Sequence, residues 1–130
     1  MSQASHRLQL TLLPIELAVC RLEPAAAMPA WGTMSMLYAL IHTPDELTVV
    51  CAATAVPAGV RCQAGWRAFQ VCGPLDFALT GVLAALAVPL AAAGVSIFAI
   101  STFDTDYVLV PADKLSAALE ALVAAGHTIQ

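Results

Sequence analysis

Charge is what this sequence has least of. Among its 130 residues 11% are charged, with five Lys and Arg against nine Asp and Glu. The five bases, Arg7, Arg21, Arg61, Arg67 and Lys114, are scattered along the chain. No basic cluster exists to track a phosphate backbone, which argues against nucleic acid as a partner. The chain has no CxxC and only three histidines, His6, His42 and His127, so a zinc site is not expected. It also lacks GxSxG, GxxxxGK[ST] and GxGxxG, the loops that build a nucleophile or cradle a phosphate. Cys20 and Cys72 stand in apolar runs with no adjacent cation to stabilise a thiolate. The expected protein is therefore not an enzyme and uses no metal or cofactor.

What the sequence has instead is apolar surface. Hydrophobic residues make up 60% of it and the mean hydropathy is +0.82, which excludes a disordered chain. The 27 residues between Asp76 and Asp104 carry no charge, a length that raises the question of a membrane span. Pro89 and Gly94 interrupt that run, alanine supplies much of it, and no Lys/Arg asymmetry flanks it. It reads as a helix, a stop and a buried strand, so no membrane partner is expected. The apolar stretch near the start is broken by Pro14 and Glu16, and Val19 stands before Cys20 where a lipoprotein site needs a small residue. A cytoplasmic location follows, with Cys20, Cys51, Cys62 and Cys72 as reduced, mostly buried small hydrophobes.

Two segments have helical spacing. Leu79, Val82, Leu83, Leu86 and Leu90 form one stripe, and Leu115, Ala118, Leu119, Leu122 and Val123 another. Pro89 should kink the first helix or tighten its last turn. Both end in Ala-Ala-Gly, at Gly94 and Gly126, where glycine supplies a left-handed cap. Strand-like runs lie at Arg67–Cys72, Ser96–Thr102, Tyr107–Val110 and His127–Ile129. The order is β-α-β-β-α-β, a ferredoxin-like α+β unit with an antiparallel sheet. The first half reads as a worn copy of the second. Leu37–Leu40 aligns with Ile97–Ile100 at an offset of 60, and Val49-Val50 with Leu109-Val110. Pro24–Pro29 leaves room for a turn or so of helix, and Pro57 and Gly59 cut down the second helix. Two tandem halves are expected, residues 8–65 with reduced helices and residues 66–130 complete.

Thr80-Gly81-Val82, Ala93-Gly94-Val95-Ser96-Ile97-Phe98 and Ser101–Val110 (STFDTDYVLV) resemble the ACT domains of aspartokinases. The likeness is closer to the small bacterial tandem-ACT proteins and the related CASTOR arginine sensors of animals. LTLLPIELAVCRL near the start and TPDELTVVC, Thr43 to Cys51, are similar to those bacterial proteins as well. The resemblance covers roughly residues 8 to 128. It implies a βαββαβ fold, sheets paired side by side, and regulatory binding of a small ligand, usually an amino acid. It carries over no kinase chemistry, because no catalytic domain is present, and it names no effector.

The residues themselves are compatible with a zwitterion site. The helix opening near Asp76–Gly81 offers free amides to an α-carboxylate, and Gly81 lets a ligand approach the backbone. Leu79, Thr80, Gly81 and Val82 form this side of the candidate site. Asp104 and Asp106 offer carboxylates to an ammonium or a basic side chain, Thr102 and Thr105 offer hydroxyls, and Ser96, Ile97, Phe98 and Phe103 line the approach. Each has a plainer role beside it: Asp76 as a helix cap, Asp104-Thr105-Asp106 as a hairpin turn, Phe98 as core. An apolar surface with free strand edges favours a homodimer. The function expected is amino-acid sensing. Its rival is a ligand-free interaction module that docks through its apolar helix face or sheet edge.

Overall fold

A computed structural model describes residues 6–76 and 78–130. The chain divides into two compact units. The larger joins the described part of Met1–Pro14 to Arg67–Gln130, and the smaller is Ile15–Trp66. Among the described residues seven strands and two α-helices follow in the order β1 (Gln9–Leu22), β2 (Ala39–His42), β3 (Leu47–Ala52), β4 (Cys62–Val71), α1 (Val82–Ala92), β5 (Phe98–Ser101), β6 (Asp106–Pro111), α2 (Leu115–Ala124) and β7 (Thr128–Ile129). From β4 onward this is β-α-β-β-α-β, the ferredoxin-like α+β order. Among the described residues no helix is long and apolar enough to cross a membrane.

In the larger unit β4 lies beside β1 and β6, and β6 beside β5. β5 and β6 form an antiparallel hairpin with Phe98 opposite Leu109 and Ser101 opposite Asp106. β7 joins β1 in parallel through Gln9 and Leu10. The core packs Val82, Leu86 and Leu90 of α1 and Ala118 and Leu122 of α2 against Leu10, Phe69, Val71, Val108 and Val110 of the strands. Each fully buried Leu or Val contributes roughly 1.5–3 kcal/mol. The outer flanks of both helical stripes stay wet: Leu79, Leu83 and Val123 are exposed. α1 begins at Val82 because Gly81 precedes it in the left-handed conformation, φ 83°. Both helices close with the same hydrogen-bond pair. Val95 donates to Leu90 and Gly94 to Ala91; His127 donates to Leu122 and Gly126 to Val123. This is the Schellman closure that a glycine at positive φ permits.

Pro89 sits inside α1, yet the helix continues to Ala92. A proline has no N–H, so the carbonyl four residues earlier, that of Ala85, loses its helical donor. His127 replaces it. The backbone amide of Leu8 donates to His127 Nδ1 at 3.1 Å, which leaves the ring proton on Nε2. That Nε2–H donates to the Ala85 carbonyl at 2.9 Å. The imidazole is only 3% exposed and both of its nitrogens are satisfied. One side chain thus repairs the proline gap and ties α1 to the start of β1 and the end of α2.

The smaller unit has β3 between β1 and β2, all antiparallel, with Ala18 opposite Cys51 and Leu40 opposite Val49. Its core holds Ala18, Cys20, Leu47, Val49 and Cys51, with Trp31 packed against them. The register corrects the internal repeat. In β2–β3 the last pair is His42 and Leu47, and in β5–β6 it is Ser101 and Asp106. Each hairpin has a four-residue turn, so the offset is 59, Thr43 to Thr102, not the 60 that aligned apolar letters imply. The same offset carries Ala53–Ala55, a 3-10 turn after β3, onto Ala112–Lys114, the 3-10 turn that opens into α2. In the first half the chain stops there, because Val56 is extended before Pro57. The first helix is likewise reduced to one 3-10 turn. It lies at Ala30–Thr33, after Pro29, rather than within Pro24–Pro29.

His127→Leu should lower stability by about 1–3 kcal/mol, since it strands the half-buried Ala85 carbonyl and the buried Leu8 amide. Combining it with Pro89→Ala, which restores a helical amide to Ala85, should recover part of that loss. Urea unfolding of the two single variants and the double checks this; additive losses would show that His127 and Pro89 do not act on the same carbonyl.

Candidate functional site

The tip of the β5–β6 hairpin is held by its threonines. Thr102 donates its amide to the Thr105 carbonyl at 2.8 Å and its hydroxyl to the same carbonyl at 3.0 Å. Thr105 returns its amide to the Thr102 hydroxyl oxygen at 3.2 Å. The Thr105 hydroxyl turns inward and donates to the Val71 carbonyl at 2.5 Å. These bonds consume both hydroxyls in the turn. They also project Phe103, 82% exposed, and Asp104 outward. At the base of the turn the Ser101 hydroxyl donates to the Asp106 carboxylate at 2.6 Å.

The lead-in to α1 is docked on this tip. The Leu75 amide donates to the Asp104 carbonyl at 2.7 Å. Gly73 is required by that approach, because a Cβ there would stand 2.9 Å from the same carbonyl oxygen. The Asp76 carboxylate accepts from the Ala78 amide at 2.9 Å, and the Leu79 amide donates to the Asp76 carbonyl at 2.9 Å. Between the two segments lies a cavity of about 190 Å³. One wall is Leu75, Asp76, Leu79 and Val82, and the other is Ser101 to Asp106. Three carboxylates, Asp76, Asp104 and Asp106, line it, and among the described residues no Lys, Arg or His does. A concave wall with charge of one sign gathers the opposite charge from solution. Val82 opens α1, and no side chain caps Gly81, so first-turn amides stand at the same end of the helix. The arrangement suits a small molecule with several N–H donors and one carboxylate.

Of the residues named from sequence, Leu79, Val82, Thr102, Phe103, Asp104, Thr105 and Asp106 share this cavity. Thr80 and Gly81 face a different hollow, a wider apolar groove that also takes in Leu79, His6, Val88 and His127. There the Thr80 carbonyl meets His6 Nε2 at 2.7 Å. Ser96, Ile97 and Phe98 line neither. Ile97 packs on the core and Phe98 opens β5 at the end away from the tip. Sequence reasoning missed Leu75, Asp76 and Ser101 as wall residues, reading Asp76 only as a helix cap, and Gly73 as the contact that shapes them. The signal for Gly73 was the Gly73-Pro74 pair just after β4. Among the described residues no group of three or more His, Cys, Asp or Glu is placed to hold a metal ion.

A family model described as an ACT domain matches residues 61–124, the stretch that contains the cavity. A second model, of an N-terminal domain, matches residues 16–59. The solved structure of the protein Atu0741 from Agrobacterium tumefaciens superposes with a TM-score of 0.92 at 34% identity, covering 97% of this chain and 94% of that one. This chain belongs to the ACT domain family. The regulatory subunit of aspartate kinase from Thermus thermophilus shares the fold, with a TM-score of 0.61 at 15% identity over 89% of this chain. The human protein named cytosolic arginine sensor for mTORC1 subunit 1 is 45% identical over 58 residues. That match covers 44% of this chain and 18% of the sensor, so the chain spans under a fifth of its curated relative.

Gly73→Ala should push the Asp104 carbonyl off the Leu75 amide and cost roughly 1–3 kcal/mol, as overpacking does. Thermal unfolding would read the loss, and the amide exchange of Leu75 should rise with it. An unchanged Leu75 amide would show that the contact does not hold the lead-in.

Proposed function

We propose that this ACT-family chain is a regulatory protein that binds a cationic amino acid, arginine first, in the cavity between α1 and the β5–β6 tip. The observation that carries the proposal is the wall itself: three aspartates, no base among the described residues, and Val82, the first residue of α1, on one side. An arginine would direct its ammonium and guanidinium donors to Asp76, Asp104 and Asp106 and its carboxylate to the first-turn amides. A volume of about 190 Å³ is below the range of drug-sized pockets and fits a single amino acid. A curated relative named as an arginine sensor supports the same choice. The reading makes residues 8–65 and 66–130 two ACT-like halves of a cytoplasmic homodimer with no catalysis of its own. Its effector site lies in the second half.

A melting-temperature panel against the common amino acids tests it. A ligand at 100 times its Kd adds about 2.7 kcal/mol, a shift of several degrees for a chain of this size. Arginine is expected to give the shift, while citrulline, which keeps the shape without the charge, is not. Asp104→Asn should abolish the response and leave the ligand-free midpoint unchanged. A flat panel, or an arginine shift retained in Asp104→Asn, overturns the reading. A flat panel would favour the interaction module, for which Met28, Met34 and Met36 of the smaller unit offer an exposed apolar surface.

A further inference from the structure

Three of the four cysteines converge in the smaller unit, away from the cavity. β1 runs between β3 and β4. On the β4 side the Arg21 amide donates to the Arg61 carbonyl at 2.9 Å. In an antiparallel ladder that bond sets the preceding residue of β1, Cys20, directly opposite the following residue of the other strand, Cys62. The two form a pair that shares no backbone bond of its own, the type whose Cα atoms approach to about 4.5 Å. A disulfide needs Cα atoms about 4.4–6.8 Å apart with their side chains on the same face, and directly opposed residues meet both conditions. On the β3 side Cys51 is opposite Ala18, which puts it diagonally across from Cys20 on the same face. Cys20 and Cys51 are buried, and Cys62 is exposed.

We propose that Cys20 and Cys62 are a thiol–disulfide modification site that reacts with small disulfides of the glutathione class, with Cys62 as the entry thiol. The Cys62 thiolate attacks one sulfur of the small disulfide. The S–S bond breaks, one small thiolate leaves and takes up a proton, and Cys62 carries a mixed disulfide. Cys20 then gives its proton to solvent and attacks the Cys62 sulfur, and the second small thiolate leaves and is protonated. Two protein thiols are oxidised to one disulfide, and one small disulfide is reduced to two thiols. Burial, with Cys51 and Cys62 alongside, pushes the Cys20 thiol up to about 12, so Cys20 does not start the exchange. It resolves the adduct because it stands opposite the sulfur it must reach. Cys51, whose thiol is also raised by burial, remains a neutral neighbour. The product would pin β1 to β4 beside the core of the smaller unit.

Trypsin separates all four cysteines, since Arg7, Arg21, Arg61, Arg67 and Lys114 divide them among four peptides. The reduced full chain would be treated with oxidised glutathione, alkylated, digested without reductant and mapped by mass spectrometry. The expected product is peptide 8–21 joined to peptide 62–67, with two of the four thiols lost and both restored by dithiothreitol. Cys20→Ala should leave glutathione on Cys62. Cys62→Ser, at an exposed position that spares the fold, should give neither cross-link nor adduct in this unit. A glutathione adduct that persists on Cys62 of the unmutated chain, a Cys20–Cys51 bridge, or oxidation mainly at Cys72 would overturn the proposal.

Discussion

The larger unit depends on one buried imidazole. His127 accepts from Leu8 and donates to Ala85, and its own amide closes α2 on Leu122. Without it the Ala85 carbonyl, left bare by Pro89, would sit unpaired beneath α1, at a cost comparable to a lost buried hydrogen bond. With it, α1 runs unbroken to Ala92. Leu79 and Val82, before and at its start, stand in the helix-side wall of the cavity. The bond from Leu75 to Asp104 then fixes the other wall against it.

The two halves use one hairpin design to different ends. Thr43 bonds the Glu46 carbonyl and accepts from the Asp45 and Glu46 amides, much as Thr102 closes on Thr105. Asp45 is therefore the counterpart of Asp104. The carbonyl of Asp104 receives a backbone amide from the lead-in to α1, whereas that of Asp45 receives the guanidinium of Arg21 at 3.0 Å. Arg21 also pairs with Glu23 at 2.7 Å. A cation already stands at the first turn, and the helix that would face it is cut to the 3-10 turn at Ala30–Thr33. The arrangement that leaves three carboxylates without a base occurs in the second half, which is the ground for proposing the effector site there.

Much of this fold is legible in the letters because it rests on period and punctuation. Helical spacing marked the buried sides of α1 and α2, and Ala-Ala-Gly marked both closures at Gly94 and Gly126. The reduction of the first half showed in Pro57 and in the crowding of Pro24 and Pro29. What the letters hid was relational. Apolar residues align at 60 as well as at 59, so only hydrogen-bond register separates the two offsets. His127 reads as one polar residue near the chain end, and nothing local says that its partner is a carbonyl orphaned by Pro89. Cys20 and Cys62 are far apart in sequence and become neighbours only through strand pairing. In the site, the acids and hydroxyls were visible as types. The turn took up the hydroxyl of Thr102 and the Val71 carbonyl that of Thr105, and Gly81 faced the other hollow.

A chain this poor in charge places three of its nine acids on one small cavity. Such a cluster is tolerated because it is wet: Asp76 and Asp104 are exposed and Asp106 is half-buried, so water screens their repulsion. The same water makes each contact to a ligand weak, because a solvated ion pair contributes about 0–1 kcal/mol. Selectivity then has to come from number rather than strength. A ligand with one ammonium engages one carboxylate well and leaves the others as they were. On the proposed reading, a guanidinium on a flexible stem, together with an α-ammonium, would reach all three and expel water from between them. Each contact gains as the cavity dries, and the hairpin tip and the helix lead-in are drawn onto the same molecule. On this reading the effector would stabilise the junction that Leu75 and Asp104 already define, which is how a site of wet, separately weak contacts can report on one amino acid.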